Sequence, residues 1–116
     1  MLIRLDEAST ATLFEQIAAG IRHAIAAGEV AEGEQLPAAR DLAGALGVNM
    51  HTVLRAYAQL RDDELIELRR RRGAVVRRSA ATGRATLTEL AHSLLAEARR
   101  QGLSRAEVIA LIDQLG

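Results

Sequence analysis

Residues 37–60 constrain the fold more than any other segment. Pro37, the only proline, precedes a short apolar pattern of Leu42, Ala43 and Leu46, which stops at Gly47. Val48 and Asn49 follow at once, and Asn49 is a strong helix N-cap. A second pattern then places Val53, Ala56, Tyr57 and Leu60 on one face of a longer helix. A helix of two to three turns, a tight glycine-containing turn and a longer helix in direct succession form a helix-turn-helix.

The segments on either side complete a unit. Upstream, Leu2 to Asp6 reads as a short extended stretch, with an edge strand expected. Thr10 or Thr12 caps a first helix, whose stripe of Leu13, Ile17, Ile21 and Ile25 recurs every fourth residue. Gly28 stops that helix, and Val30 to Gln35 is expected to be a polar turn. Downstream, Leu65 to Leu68 and Ala74 to Val76 read as two strands joined through Arg69-Arg70-Arg71-Arg72-Gly73, a hairpin with a cationic tip. Ser79 to Ala85 reads as a linker. Leu87, Leu90, Ala91, Leu94, Leu95 and Ala98 then define a helical face running to Gly102. Ser104 and Glu107 form a capping-box pattern opening a last helix rich in branched apolar residues. The expected class is mainly α with one small β-hairpin. The expected divisions are a winged helix-turn-helix over 1–78, a linker over 79–85 and a two-helix segment over 86–116.

Composition matters here through its distribution. The formal net charge is zero, yet residues 1–35 carry two arginines against six acids, while residues 36–78 carry nine arginines against five. The basic charge therefore sits on the helix-turn-helix and the hairpin, which suits a localised anion-binding surface. The chain has no cysteine, so disulfide and thiolate chemistry are excluded. His23, His51 and His92 lack metal-ligand spacing, no glycine-rich phosphate loop is present, and no nucleophile stands beside a base. No metal or cofactor is expected, and an enzyme is the weaker reading. With two aromatic residues, Phe14 and Tyr57, stacking platforms for single-stranded RNA are lacking. Neither a leader nor a membrane-spanning run is visible, so a soluble cytoplasmic protein without membrane contact is expected.

An α-helix fits the major groove of duplex DNA, where base edges are distinguishable. The longer helix opens with Asn49, Met50, His51 and Thr52, and Arg55 follows one turn on. Asn suits adenine, Arg suits guanine or phosphate, and Thr suits either. Arg40 lies beside the same backbone, and Arg70, Arg71, Arg72 and Gly73 are placed for the adjacent minor groove or its phosphates. Bland alternatives stand beside these roles. Asn49 is also a plain cap, the arginine run a solvated loop, and Arg55 has Asp62 and Glu64 as candidate partners.

These pieces resemble the GntR regulators. The resemblance runs from Leu13 to Val76 and rests on Leu13-Phe14-Glu15-Gln16-Ile17, Gly28-Glu29, Gly33, Leu36-Pro37, Arg40-Asp41-Leu42-Ala43, Leu46-Gly47-Val48, Thr52-Val53, Leu60, Leu65-Ile66 and Arg72-Gly73. It implies a winged helix, a homodimer and a roughly palindromic operator. Asn49, Thr52, Val53, Arg55, Ala56 and Tyr57, together with the short helical tail, look like the YtrA subfamily. That similarity implies a tail that mainly dimerises. Repression is the expected sense of regulation, with activation left open by the residues. Four departures stand out. Ala38 and Ala39 replace the usual Ser-Glu cap, and Met50 stands where many relatives have arginine or proline. Glu64 and Arg71 each replace a customary glycine.

The two tail helices show more branched apolar surface than one partner would cover. Leu90, Leu94, Leu95, Val108, Ile109, Leu111, Ile112 and Leu115 are accordingly the expected contacts with a second copy. The alternative is that both helices fold back onto the first helix. The expected partners are an operator duplex and a second copy of the chain. A small-molecule effector is left open.

Overall fold

The computed structural model describes residues 1–78 and 83–116. The first helix, α1 (Leu13–Ala26), is capped by Thr12, whose hydroxyl oxygen accepts the Glu15 N–H at 3.3 Å. The four-residue repeat then puts Ile17, Ile21 and Ile25, with Ala18 and Ala24, wholly inside the core. Leu13, at the head of that stripe, stays partly exposed. The expected edge strand at the N-terminus does not form: residues 2–6 have no strand partner. Instead Ile3 and Leu5 pack on the core as irregular chain. Ile3 lies against Gly20 so closely that a Cβ there would sit 3.2 Å from its Cγ1. Apolar contact, not ladder hydrogen bonding, fixes this segment.

The second helix, α2 (Ala39–Leu46), begins at Ala38 with no side-chain cap, as its Ala-Ala start implies. What holds its entry is the next helix: the Tyr57 hydroxyl donates to the Pro37 carbonyl at 2.6 Å. Gly47 ends α2 with φ 69°, a left-handed conformation that a Cβ would strain. Asn49 caps α3 (Met50–Asp62), its Oδ1 accepting the His51 N–H at 2.7 Å. Val53, Ala56, Tyr57 and Leu60 are all buried, as the pattern predicts. Burial pushes the Tyr57 phenol up from 10.0 to about 12. Its contribution to stability is therefore complete below pH 10 and is lost as pH rises from there to about 12. Because Tyr57 is the only tyrosine, near-ultraviolet absorbance follows it alone. The expected phenolate transition lies near 12 or coincides with alkaline unfolding; ordinary titration in the folded protein would show the ring open to water.

Strands β1 (Ile66–Arg69) and β2 (Gly73–Val76) pair antiparallel from Ile66 opposite Val76 to Arg69 opposite Gly73. This leaves a three-residue tip, Arg70 to Arg72, closed by Gly73 at φ 69°, the left-handed position such hairpins require. Where the sequence suggests a polar turn over Val30 to Gln35, the structure corrects it. Val30 is buried, and residues 33–36 run along β2. The Gly33 N–H donates to Val76 O at 2.8 Å, Val76 N–H to Glu34 O at 2.9 Å, and Leu36 N–H to Ala74 O at 2.8 Å. The β2 backbone would otherwise carry unmet polar groups in the core. Glu64, in place of a customary glycine, is the single non-glycine residue with positive φ among the described residues, at 63°. The Leu65 N–H donates to Leu60 O at 3.0 Å and closes the end of α3 around it, and the Glu64 carboxylate meets Arg84 at 2.7 Å.

Helix α4 spans Arg84–Arg100 and α5 spans Arg105–Leu115. Residues 79–82 of the expected linker lie outside the described residues, and α4 already includes Arg84 and Ala85. It packs along α1, burying Ala85 and Ala98, while α5 docks only on α4 among its principal neighbours. The capping box at Ser104 is complete, Ser104 accepting from the Glu107 N–H and Glu107 from the Ser104 N–H. One tail expectation is corrected. Val108 is 3% exposed within a single chain, adjoining Leu95, Ala98 and Leu103, so it seats α5 on α4 and has no surface for a second copy. Leu95 is likewise half-covered.

Candidate nucleic-acid interface

The first turn of α3 faces outward. Asn49 and His51 are exposed and Thr52 is half-exposed, because the buried face of the helix starts only at Val53. Met50 differs from its expected role: it packs partly against the core, so its thioether supports the turn from below. Leu54, which the sequence reading did not single out, is exposed on the same side of the helix, one turn beyond Met50 and His51. The signal was available, since an apolar residue outside the Val53, Ala56, Tyr57 and Leu60 face has no core to join.

Arg55 is exposed, with its guanidinium carbon 4.0 Å from the centroid of the Phe14 ring. This cation–π contact orients the side chain for roughly 0.5–1 kcal/mol while leaving its donors free. Neither candidate acidic partner engages it. Asp62 accepts from Arg61 at 3.3 Å, and Glu64 pairs with Arg84. Arg40 is exposed on α2. On the hairpin, Arg69 is tied to Glu67 at 3.0 Å, whereas Arg70, Arg71 and Arg72 are exposed without an ion pair among the described residues. Arg40 on α2, Arg55 on α3 and the three arginines of the hairpin tip are thus among the arginines without an ion pair within the described residues.

Sequence profiles of the bacterial regulatory proteins, gntR family, match residues 13–76, more than half of the chain. The chain belongs to the GntR family. Among its GntR relatives, the HTH-type transcriptional regulator Rv1152 of Mycobacterium tuberculosis is 34% identical over 107 residues, 92% of this chain and 88% of that protein. The HTH-type transcriptional repressor YtrA of Bacillus subtilis is 31% identical over 100 residues, 86% of this chain and 75% of that one. The structure of YtrA from Sulfolobus acidocaldarius, a GntR-family transcription factor, aligns with a TM-score of 0.62 at 31% identity, covering 97% of this chain and 95% of the other. This is a YtrA-like GntR regulator of transcription, a winged-helix protein of a DNA-binding family.

The helices behind this surface hold a group that sequence reading missed. Arg22 is 4% exposed and pairs with Asp63, the C-cap of α3, at 3.6 Å. His92 on α4 meets the same Asp63 Oδ2 at 2.9 Å. One carboxylate therefore joins α1, α3 and α4. Desolvation lowers the Arg22 pKa, against the opposing pull of Asp63, Glu89 and Glu15. Arg22 lies one turn beyond buried Ala18, at the edge of the α1 stripe, where α4 packs against it. Among the described residues no group of three or more acidic or histidine side chains could hold a metal, and no helix is long and apolar enough to cross a membrane.

Proposed function

We propose that this GntR chain acts as a homodimeric repressor on a roughly palindromic operator. The first turn of α3 enters the major groove, where Asn49, His51, Thr52 and Arg55 meet base edges or phosphates, with Leu54 beside them for apolar contact. Arg40 grips the flanking backbone, and Arg70, Arg71 and Arg72 track the adjacent minor groove or its phosphates. The observation that carries this reading is the outward leading turn of α3 with its unengaged arginine, Arg55, set on Phe14. Repression rests on likeness to the relative named a repressor.

Exposed tail residues support the second copy. Ile109 and Ile112 are each 50% exposed and Leu115 81%, with Leu111, Leu90 and Leu94 also open. Two copies joined through these faces would set their α3 helices about 34–36 Å apart, one turn of duplex.

The test uses an operator selected from random duplex. Arg55→Ala and Arg40→Ala are each expected to cost about 1–2 kcal/mol of operator affinity, with folding unchanged. If both variants bind as tightly as the parent protein, α3 is not the reading helix. Arg70→Gln with Arg71→Gln has a different expected signature. Affinity drops to a similar degree on every duplex, and the slope of log K against log salt flattens by about 2. A loss confined to one sequence would assign base reading to the hairpin instead.

A further inference from the structure

Arg55 is seated by a side chain from another helix. Its guanidinium carbon lies over the Phe14 ring, 4.0 Å from the centroid, within the range of a cation–π contact. Phe14 is half-buried on α1 and packs against the core. It also lines the cleft that Leu95 and Ala96 of α4 line. The ring is therefore a fixed platform. An arginine without one samples many rotamers and gives up that freedom on binding. The platform covers little that matters for recognition. A guanidinium is planar and its five N–H donors form a fork in that plane, so a ring against its face leaves them free. No carboxylate pairs with Arg55 among the described residues, and His51, one turn before it on the same face, is exposed.

Phosphate and guanine make different demands on such a group. A phosphate contact needs positive charge and tolerates many approaches, and it carries no sequence information. Guanine offers O6 and N7 side by side in the plane of the base, and only an oriented fork meets both at once. A guanidinium seated before the base arrives suits the second demand.

We propose that Phe14 is a positioning residue that makes Arg55 a reader of guanine instead of a general phosphate contact. The inference rests on the placement of α3 in the major groove proposed above, and it adds a named base to each half-site. Phe14 acts through Arg55 and needs no contact with DNA of its own.

The test uses the operator selected from random duplex, at the base pair where Arg55→Ala relaxes the preference. The parent protein is expected to lose about 5- to 100-fold in affinity when G·C there becomes A·T. Replacing that guanine by 7-deazaguanine, which removes the N7 acceptor alone, should reproduce much of the loss. Phe14→Leu is expected to shrink the discrimination about two- to fivefold, the range of an exposed cation–π contact, with affinity for unrelated duplex unchanged. Phe14→Tyr keeps the ring and should keep the discrimination. In the Arg55→Ala protein, Phe14→Leu should change nothing further. A general loosening of α1 would lower affinity in that background too, so the cycle separates positioning from structure.

Full discrimination in Phe14→Leu overturns the proposal, as does an equal loss on every duplex or a further loss in the Arg55→Ala protein. A preferred base other than guanine overturns it as well. Should Arg55→Ala weaken all sequences alike, Arg55 is a phosphate contact and the guanine assignment fails while α3 remains on the DNA. If Arg55→Ala and Arg40→Ala both bind as the parent does, the placement of α3 and this inference fall together.

Discussion

Ile109→Asp combined with Ile112→Asp is expected to convert the protein to a monomer in light scattering and to lower operator affinity at least about 100-fold. Both side chains are half open to water on α5, so charges there cost the single chain little. The proposed dimer suffers far more, because the two-fold axis brings each new carboxylate into an apolar contact twice. Affinity then falls steeply, since two linked half-sites gain about 10²–10⁴ over one by effective concentration alone. Deleting the whole tail is the poorer experiment. Helix α4 buries Ala85 and Ala98 and covers Arg22, so its loss would unfold the winged helix for unrelated reasons. A double variant that stays dimeric, with affinity intact, would move the dimer contact away from α5.

Asp63→Ala is expected to destabilise the fold by about 3 kcal/mol, measured by urea unfolding. The substitution leaves the Arg22 guanidinium buried without its counter-charge, which typically costs about 3–5 kcal/mol; the partial exposure of Asp63, 20%, favours the lower end. It also strips His92 of its 2.9 Å partner and loosens α4 from α3. Asp63→Ala with Arg22→Leu should recover much of the loss, because an apolar side chain at that position needs no partner. If the single variant unfolds at the same urea concentration as the parent, Asp63 does not hold the three helices together.

These two cases also mark where the sequence stops being readable. The inward face of α3 and the caps at Asn49 and Ser104 were legible because each follows from spacing within a few residues, whereas the first cap stood between Thr10 and Thr12. The hairpin was legible because two short apolar runs flank a compact connection that contains Gly73. Arg22 was not, since its burial depends on α4 arriving from the far end of the chain. The run of residues 33–36 beside β2 was equally hidden, because pairing between distant segments leaves no local pattern. Val108 and Ile109 are adjacent branched residues of one helix, and only the docking angle of α5 decides which is covered. On the candidate interface, residue types and positions were readable along α3, whereas the seating of Arg55 on Phe14 needed the packing of α1 against α3.

Sequencing the duplexes that the intact protein retains from a random pool tests the DNA-reading account most directly. The account predicts enrichment of two inverted half-sites whose centres lie about one helical turn apart, with Arg55→Ala relaxing the preference at matching positions in both. A pool that stays random, or a single half-site without symmetry, would contradict it.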